Sequence, residues 1–172
     1  MQITIEEISK NHGRKQFDCR VAELNNFLKQ QARQKTSKNI SKTYVACKKD
    51  SPHLIIGFYT LTGYSVITPP NHKHYKNYPH PLNAVKLARI AVDHTAQDSG
   101  IGEKLLIDAI CKTVLVSNQI SAIGLFVDPK TPEVISYYEQ YGFLTADSQS
   151  NSLEMWLPIN TCKDVVATIL PA

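Results

Sequence analysis

The feature that most constrains the fold is a strand, a glycine-containing turn and a helix that follow one another directly. Residues 84–92 are largely apolar and predict a strand. Residues 97–102 contain two glycines, and residues 103–116 carry apolar side chains at helical spacing. A strand that leads directly into a helix packs that helix against a sheet. The chain is therefore expected to build a sheet with helices on its faces.

The same alternation extends over the whole chain. We expect strands at residues 2–5, 43–47, 54–66, 84–92, 122–127 and 152–157, the last of which closes the chain. We expect one or two helices over about 19–36 with Asp18 as N-cap, a helix at 103–116, and one from Pro132 to Gly142. Residues 49–52 predict a hairpin turn, and residues 69–81, with four prolines, predict a loop. With no repeat or linker, residues 1–172 are predicted to form a single domain of the α/β class, with a central mixed (α+β) sheet.

Composition excludes several classes of protein. No apolar run approaches the ~18 residues that a membrane span needs, and no signal peptide is recognisable, so we expect a cytoplasmic protein without a membrane partner. The four cysteines lie far apart, and none has a histidine at metal-binding distance in the sequence. We therefore expect neither a disulfide framework nor a metal site.

Positive charge is concentrated near the N-terminus. Residues 1–49 contain 11 Lys and Arg against 4 Asp and Glu, whereas residues 50–172 contain 8 against 11. No acidic residue interrupts the basic run of Lys29, Arg33, Lys35, Lys38 and Lys42. Such a run is typical either of a solvated helix face or of a surface that binds a polyanion, and the sequence leaves both interpretations open.

The glycine turn has the chemistry of a pyrophosphate site. The first turn of a helix presents main-chain N–H groups without acceptors at the positive end of the helix dipole. Gly100 and Gly102 let the backbone approach an anion, and Gln97 offers a side-chain donor. Many connections of this kind use glycine for geometry alone, so the turn by itself does not decide between a structural and a binding role.

Two motifs together resemble those of the GNAT acetyltransferases. Gln97, Gly100 and Gly102 match the family's signature of Arg or Gln, two residues, Gly, one residue, then Gly or Ala, which wraps the pyrophosphate of acetyl-CoA. Residues 136–143 look like the F-Y-x-x-x-G-F segment that ends the same fold. The resemblance implies the GNAT fold and acetyl-CoA as the acetyl donor.

Further segments are similar to the GNAT toxins of bacterial toxin–antitoxin pairs. Residues 17–28 resemble the pattern F-D-C-x-x-x-x-L-N-x-F-L, residues 32–34 the pattern A-R-Q, and residues 87–93 the pattern L-A-R-L-A-V-D. The resemblance thus covers nearly the whole chain. It implies acetylation of the α-amino group of aminoacyl-tRNA, inhibition of translation, neutralisation by a ribbon-helix-helix antitoxin, and a homodimer.

The resemblance also assigns the residues that bind the acetyl donor. The strand end pairs with the pantetheine arm and the turn holds the pyrophosphate, which gives Ile90, Ala91, Val92, Gln97, Asp98, Ser99, Gly100, Ile101 and Gly102. Asp98 departs from the small residue common at its position, and its charge would repel the pyrophosphate unless the side chain turns outward. We expect a main-chain N–H near Val92 to donate to the oxyanion of the reaction.

Tyr138 occupies the family position of the acid that protonates the departing thiolate, which makes it the predicted catalytic residue. Without the resemblance, a tyrosine in a short amphipathic helix is more often part of the core. No carboxylate or histidine is obviously placed as a general base. That suits an α-amine acceptor, whose pKa near ~8 leaves it partly neutral, better than a lysine near ~10.4.

The basic run then gains a predicted role in binding tRNA phosphates. Its members Lys29, Arg33, Lys35, Lys38 and Lys42 are joined in this prediction by Arg89, which alternatively pairs with a carboxylate within the sheet. Two other functions stay open at this point. One is a GNAT enzyme that acetylates a protein N-terminus, a lysine or a small amine; the other is a non-catalytic module that binds nucleic acid or a protein partner.

Overall fold

The strands and helices are those of a computed structural model, which describes residues 1–146 and 153–170. The strands are β1 (Ile3–Glu7), β2 (Lys42–Lys48), β3 (Ser51–Val66), β4 (Leu82–Val92), β5 (Gly124–Val127), β6 (Leu144–Thr145) and β7 (Met155–Pro158). The helices are α1 (Ala22–Gln30), α2 (Ala32–Ser37), α3 (Ile101–Gln119), α4 (Pro132–Glu139) and α5 (Ile159–Ile169), and a short 3-10 turn covers His94–Ala96.

The described strands form one seven-stranded sheet in the order β1-β2-β3-β4-β5-β7-β6. Strand β2 pairs antiparallel with β1 and β3, β4 pairs parallel with β5, and β7 pairs antiparallel with β5 and β6. The sheet is therefore mixed and accompanied by helices, which confirms the predicted fold class. Among the described residues, no helix has the length and apolar character needed to cross a bilayer.

The first compact unit comprises residues 1–62 and 88–109. It contains the predicted hairpin of β2 and β3, whose register runs from Lys42 opposite Leu61 to Lys48 opposite Ser51. Its core is aromatic: the Phe58 ring meets the Phe17 ring edge-on at 5.4 Å and stacks against the Phe27 ring at 6.3 Å. Because Phe27 lies on α1, this contact fixes the helix against the hairpin.

The second compact unit comprises residues 63–87 together with the described part of 110–172. Its buried core includes Phe126 on β5 and Trp156 on β7, whose rings stack with centroids 5.5 Å apart. The parallel pairing of β4 with β5 spans Val85 to Leu87 on the β4 side. Helix α4 lies in this unit, which also contains the loop that joins β3 to β4.

Two expectations about the chain differ from the structure. Asp18 does not cap α1, because that helix begins after Val21; the Asp18 carboxylate instead accepts from the Arg20 N–H at 2.8 Å and the Asn25 amide at 2.9 Å. The last strand does not close the chain, since α5 follows β7 directly. Ser152, at the start of the strand predicted there, lies outside the described residues.

Candidate active site

The predicted phosphate turn lies where it was expected, immediately before α3. Asp98 and Gly100 both have a left-handed backbone, with φ of 59° and 79°. Helix α3 begins at Ile101, and the Lys104 N–H donates to the Gly100 carbonyl at 3.2 Å. The amides of the first helical turn have no acceptor within the helix and present the positive end of a 19-residue helix.

Gly100 gives this turn its left-handed backbone and the open space beside it. A left-handed φ costs free energy for most residues with a Cβ, so the backbone alone favours glycine at this position. A Cβ built at Gly100 meets no heavy atom within 4 Å. The space beside the turn is therefore open to an incoming group, and the donors, the dipole and the open space together fit a diphosphate.

Side chains within the turn bond to its own backbone. The Gln97 side-chain amide donates to the Val92 carbonyl at 3.2 Å, which ties the turn to the end of β4. Because that nitrogen carries two hydrogens, one donor is not used by this bond. The Ser99 hydroxyl donates to the Ala96 carbonyl. Asp98 is exposed. Aspartate, like asparagine, adopts a left-handed backbone more readily than most residues with a Cβ.

Asp93 fixes the approach to the turn, a role that the sequence analysis did not identify. One carboxylate oxygen accepts from the Thr95 N–H at 2.9 Å and from its hydroxyl, and the other accepts from the Asp18 N–H at 2.9 Å. Burial raises the pKa of the Asp93 carboxyl, but the hydrogen bonds from Thr95 and Asp18 outweigh this effect, so the pKa lies below its ordinary value. The local signal was an Asp two residues before a Thr, which is typical of a side-chain cap.

The end of β4 brings the predicted donor-binding strand next to the turn. Ala91 is buried in the core, while Ile90 and Val92 are partly exposed. Among the described residues, the register of β4 with β5 includes none of Ile90 to Val92. On the side of β3, the Asp93 N–H donates to the Ile56 carbonyl at 2.9 Å. Main-chain groups at this end of β4 are therefore candidates for pairing with an extended ligand.

Tyr138 lies on α4 in the second unit. It is the buried member of three nearby tyrosines, with 5% of its surface exposed, whereas Tyr137 and Tyr141 are half-buried. Its ring contacts Phe143 at 5.1 Å and Tyr137 at 5.5 Å. Burial raises the pKa of the Tyr138 phenol to about 12, so the phenol keeps its proton at neutral pH. Gly142, with φ of 89°, provides the predicted left-handed end after α4.

The predicted nucleic-acid residues all lie in the first unit: Lys29 on α1, Arg33 and Lys35 on α2, Lys38 directly after α2, Lys42 on β2 and Arg89 on β4. Arg33 and Lys38 are exposed, whereas Lys42 forms a 3.5 Å ion pair with Glu7. Arg33 also lines a cleft of about 390 Å³ together with Lys10, a basic residue that was not among the predicted nucleic-acid residues. The main chain of Lys29 accepts from Arg14 at 2.8 Å.

The side chains of Arg89 and Lys35 both lie over the aromatic ring of Phe27. The Arg89 guanidinium lies 3.8 Å from the centroid of Phe27, and the Lys35 ammonium lies 5.6 Å from the same centroid. The structure thus brings Arg89 and Lys35 to one ring, where cation–π attraction holds both charges. Within the described residues, no ion pair joins Arg89 to a carboxylate.

Comparison with known proteins identifies relatives of this arrangement. The model of the acetyltransferase (GNAT) family matches residues 14–143. The chain is 25% identical over 173 residues to a probable toxin TacT from Sinorhizobium fredii, covering 94% of both chains. It is 28% identical over 121 residues to a tRNA-acetylating toxin from Mycobacterium tuberculosis, covering 70% of this chain and 71% of that protein.

Solved structures are similar over almost the whole length. The crystal structure of a tyrosine-to-phenylalanine mutant of KacT has a TM-score of 0.87 and 26% identity, covering 96% of this chain and 99% of that one. AtaT complexed with acetyl-methionyl-tRNAfMet has a TM-score of 0.86 at 24% identity, with coverage of 96% and 99%. The latter likeness shows a shared fold.

Proposed function

The chain belongs to the acetyltransferase (GNAT) family, and from that premise we propose that it transfers acetyl from acetyl-CoA to the α-amino group of aminoacyl-tRNA. The product is an N-acetylated aminoacyl-tRNA, which lacks the free amine that peptide-bond formation needs during elongation. On this proposal the protein inhibits translation and is the toxin of a toxin–antitoxin pair.

The observation that carries the donor assignment is the open turn at the start of α3. Gly100 adopts a left-handed backbone with open space beside it, and the first helical turn directs free amides toward that space. A diphosphate bound there gains several charge-assisted hydrogen bonds without requiring a lysine. The donor assigned to this turn is acetyl-CoA, with Gln97 to Gly102 around the diphosphate and Ile90 to Val92 beside the pantetheine arm.

The acceptor assignment has two independent supports. A relative of 28% identity is named a tRNA-acetylating toxin, and the exposed cations Arg33 and Lys38 suit a polyanionic substrate. An α-amine with a pKa near ~8 is partly neutral at physiological pH, so its attack on the thioester does not depend on a strong base. In this account Lys29, Arg33, Lys35, Lys38, Lys42 and Arg89 contact tRNA phosphates.

The proposed reaction requires two groups of this chain to stabilise the negative charges that develop on the thioester oxygen and sulfur. Acetyl-CoA supplies a thioester whose carbonyl oxygen becomes negative as the amine attacks, and whose sulfur leaves as a thiolate. A main-chain N–H near Val92 donates to that oxygen. Tyr138 donates its phenol proton to the sulfur, and the proton that the attacking nitrogen loses on becoming an amide restores the phenol. A pKa of about 12 means that the phenol enters the reaction protonated.

The proposed partners follow from the same assignment. A toxin that acts on charged tRNA works in the cytoplasm and must be held inactive by a cognate antitoxin. We assign the antitoxin to the ribbon-helix-helix class and the enzyme to a homodimer, supported by the similarity to proteins named as toxins. Size-exclusion chromatography with light scattering measures the oligomeric state directly.

The function is tested by incubating the protein with isotopically labelled acetyl-CoA and a pool of charged tRNA, followed by mass spectrometry of the aminoacyl esters. We expect one labelled acetyl group on the α-nitrogen for the wild type. Tyr138→Phe should reduce the single-turnover rate by about 10- to 1000-fold with little change in acetyl-CoA affinity.

Tyr137→Phe is the matched control, because it removes a phenol hydroxyl from the neighbouring residue of the same helix. Its rate should stay near that of the wild type. Label on protein or free amines alone would contradict the acceptor assignment. Equal rates for Tyr138→Phe and Tyr137→Phe would remove Tyr138 from the mechanism while leaving the reaction intact.

A further inference from the structure

A second cationic surface lies far along the sequence from the basic run. Residues 51–92 contain no Asp or Glu. These residues include the β3–β4 loop, defined as residues 67–81. In this loop, lysine side chains alternate closely with histidine and tyrosine rings: His72, Lys73, His74, Tyr75, Lys76, Tyr78 and His80. Neither acetyl-CoA binding nor the surface of α1 and α2 gives these residues a role.

The inner side of the β3–β4 loop is held by aromatic contacts within the second unit. The rings of His72 and Tyr75 stack with centroids 5.4 Å apart, and both meet the buried ring of Trp156, at 5.6 Å and 6.0 Å. The N–H groups of Tyr75 and Lys76 both donate to the His72 carbonyl at 2.9 Å. The loop therefore has a defined shape that costs little further ordering when a ligand binds.

The outer side of the loop presents cations and flat rings to solvent. Lys73, His74, Lys76 and His80 are exposed, and 50% of the surface of Tyr78 is exposed. The rings of Tyr78 and His80 lie 6.1 Å apart. Single-stranded RNA is recognised by this combination, because lysines meet its phosphates while its unstacked bases pack on aromatic faces.

A cleft of about 280 Å³ opens beside the same residues. Lys73, His74 and Tyr75 line it from the loop, and Leu144 and Asn160 also line it, all in the second unit. Leu144 is 48% exposed and gives the cleft an apolar face. The cleft thus combines an ammonium group, aromatic and apolar faces and an amide, which are the groups needed to hold one nucleotide.

We propose that the β3–β4 loop and its cleft bind an unpaired nucleotide of the tRNA substrate. Lys73 and Lys76 contact phosphates, and the exposed ring of Tyr78 stacks on a base. This inference rests on the proposed function, since it takes tRNA as the acceptor. An acidic peptide would also attract the lysines, but the exposed ring of Tyr78 beside them offers a stacking face that suits a base, so RNA is the partner that the surface fits.

The test uses the full-length protein and measures tRNA binding by fluorescence anisotropy, together with acetyl transfer. Lys73→Glu/Lys76→Glu is expected to raise the Kd for tRNA on the order of 10- to 100-fold at moderate salt and to reduce the slope of log K against log salt by about 2. The matched control is Lys130→Glu/Lys163→Glu, which makes the same charge change at two exposed lysines of the same unit. The control should change the Kd by less than about 3-fold.

Stacking is tested separately at Tyr78. Tyr78→Leu should weaken tRNA binding about 5- to 100-fold, whereas Tyr78→Phe should restore the wild-type affinity because it keeps the ring. Acetyl transfer to an aminoacyl-adenosine ester, which lacks phosphates, should be unchanged in Lys73→Glu/Lys76→Glu.

The outcomes separate this inference from the proposed function. Loop variants that bind tRNA as the control does, in a protein that acetylates tRNA, would overturn the loop alone. Loop variants that lose tRNA binding, in a protein whose wild type binds tRNA but transfers no acetyl to it, would support the loop and contradict the function. Unchanged tRNA binding with lost binding of a synthetic acidic peptide would assign the surface to a protein partner and overturn the RNA site.

Discussion

Replacing Gly100 by alanine perturbs the turn through its backbone alone. The added Cβ would meet no heavy atom within 4 Å, so no steric clash contributes in the free protein. The cost is that of holding an L-residue at φ of 79°, about 1–2 kcal/mol. The turn can either keep its shape and lose this much stability, or relax and misdirect the amides that bind the donor.

The strain free energy of the substituted turn is divided between these two responses. Whatever part of the strain is relieved in the free protein must be restored when acetyl-CoA binds. The loss in free energy of unfolding and the loss in binding free energy should therefore sum to at least about 1–2 kcal/mol, a factor of about 5–30 in the combined equilibria. Urea denaturation measures the first loss, and calorimetric titration with acetyl-CoA measures the second.

Gly63→Ala is the matched control. Gly63 also has open space around its missing Cβ but has no left-handed φ, and it lies on β3. Alanine should be neutral there or stabilise the strand by up to about 1 kcal/mol. If Gly100→Ala changes both measurements by less than about 0.3 kcal/mol, then the left-handed turn does not govern donor binding.

Three further predictions follow from other parts of the structure. Gly57→Ala places a Cβ 2.9 Å from a methyl of Leu105 and should destabilise the protein by about 1–3 kcal/mol in urea; a change below about 0.5 kcal/mol would contradict the close packing. Asp98→Asn keeps the left-handed backbone but removes a negative charge beside the diphosphate. The Kd for acetyl-CoA should therefore fall about 2- to 5-fold at low salt, and this gain in affinity should shrink as salt is added. A higher Kd would show that the carboxylate assists binding. Because the Tyr138 pKa is about 12, the rate with a stable α-amine acceptor should rise as the amine deprotonates near pH ~8 and then stay level to about pH 10; a wild-type rate that falls between pH 8 and 10 would indicate a more acidic group.

The strand, turn and helix at the donor site were predictable because their signals are local. A largely apolar run, two glycines and a helical period lie within residues 84–116, and each signal can be recognised without knowledge of long-range contacts. The hairpin of β2 and β3 was predictable for the same reason. Helix α5 was not anticipated, since it follows β7 at once and its N-cap is Pro158, which offers no side-chain capping bond.

Contacts between distant residues could not be predicted from these patterns. The bond from the Asp18 N–H to Asp93 joins residues 75 positions apart, and Arg89 meets Phe27 through the packing of β4 against α1. A sequence pattern records which residues are apolar or charged, but these partners are selected by the three-dimensional arrangement. Asp18 was therefore predicted as a helix cap, and the contact of Arg89 with the Phe27 ring was not anticipated.

The central claim, acetyl transfer to the α-amine of aminoacyl-tRNA, is tested most directly by competition between acceptors in a single reaction. Labelled acetyl-CoA is offered to the wild-type protein with equal amounts of charged tRNA, a peptide with a free N-terminus and a lysine, and a small primary amine. The account predicts that the label appears on the aminoacyl group of tRNA far ahead of the other acceptors. Label that accumulates first on the peptide or the small amine would contradict it.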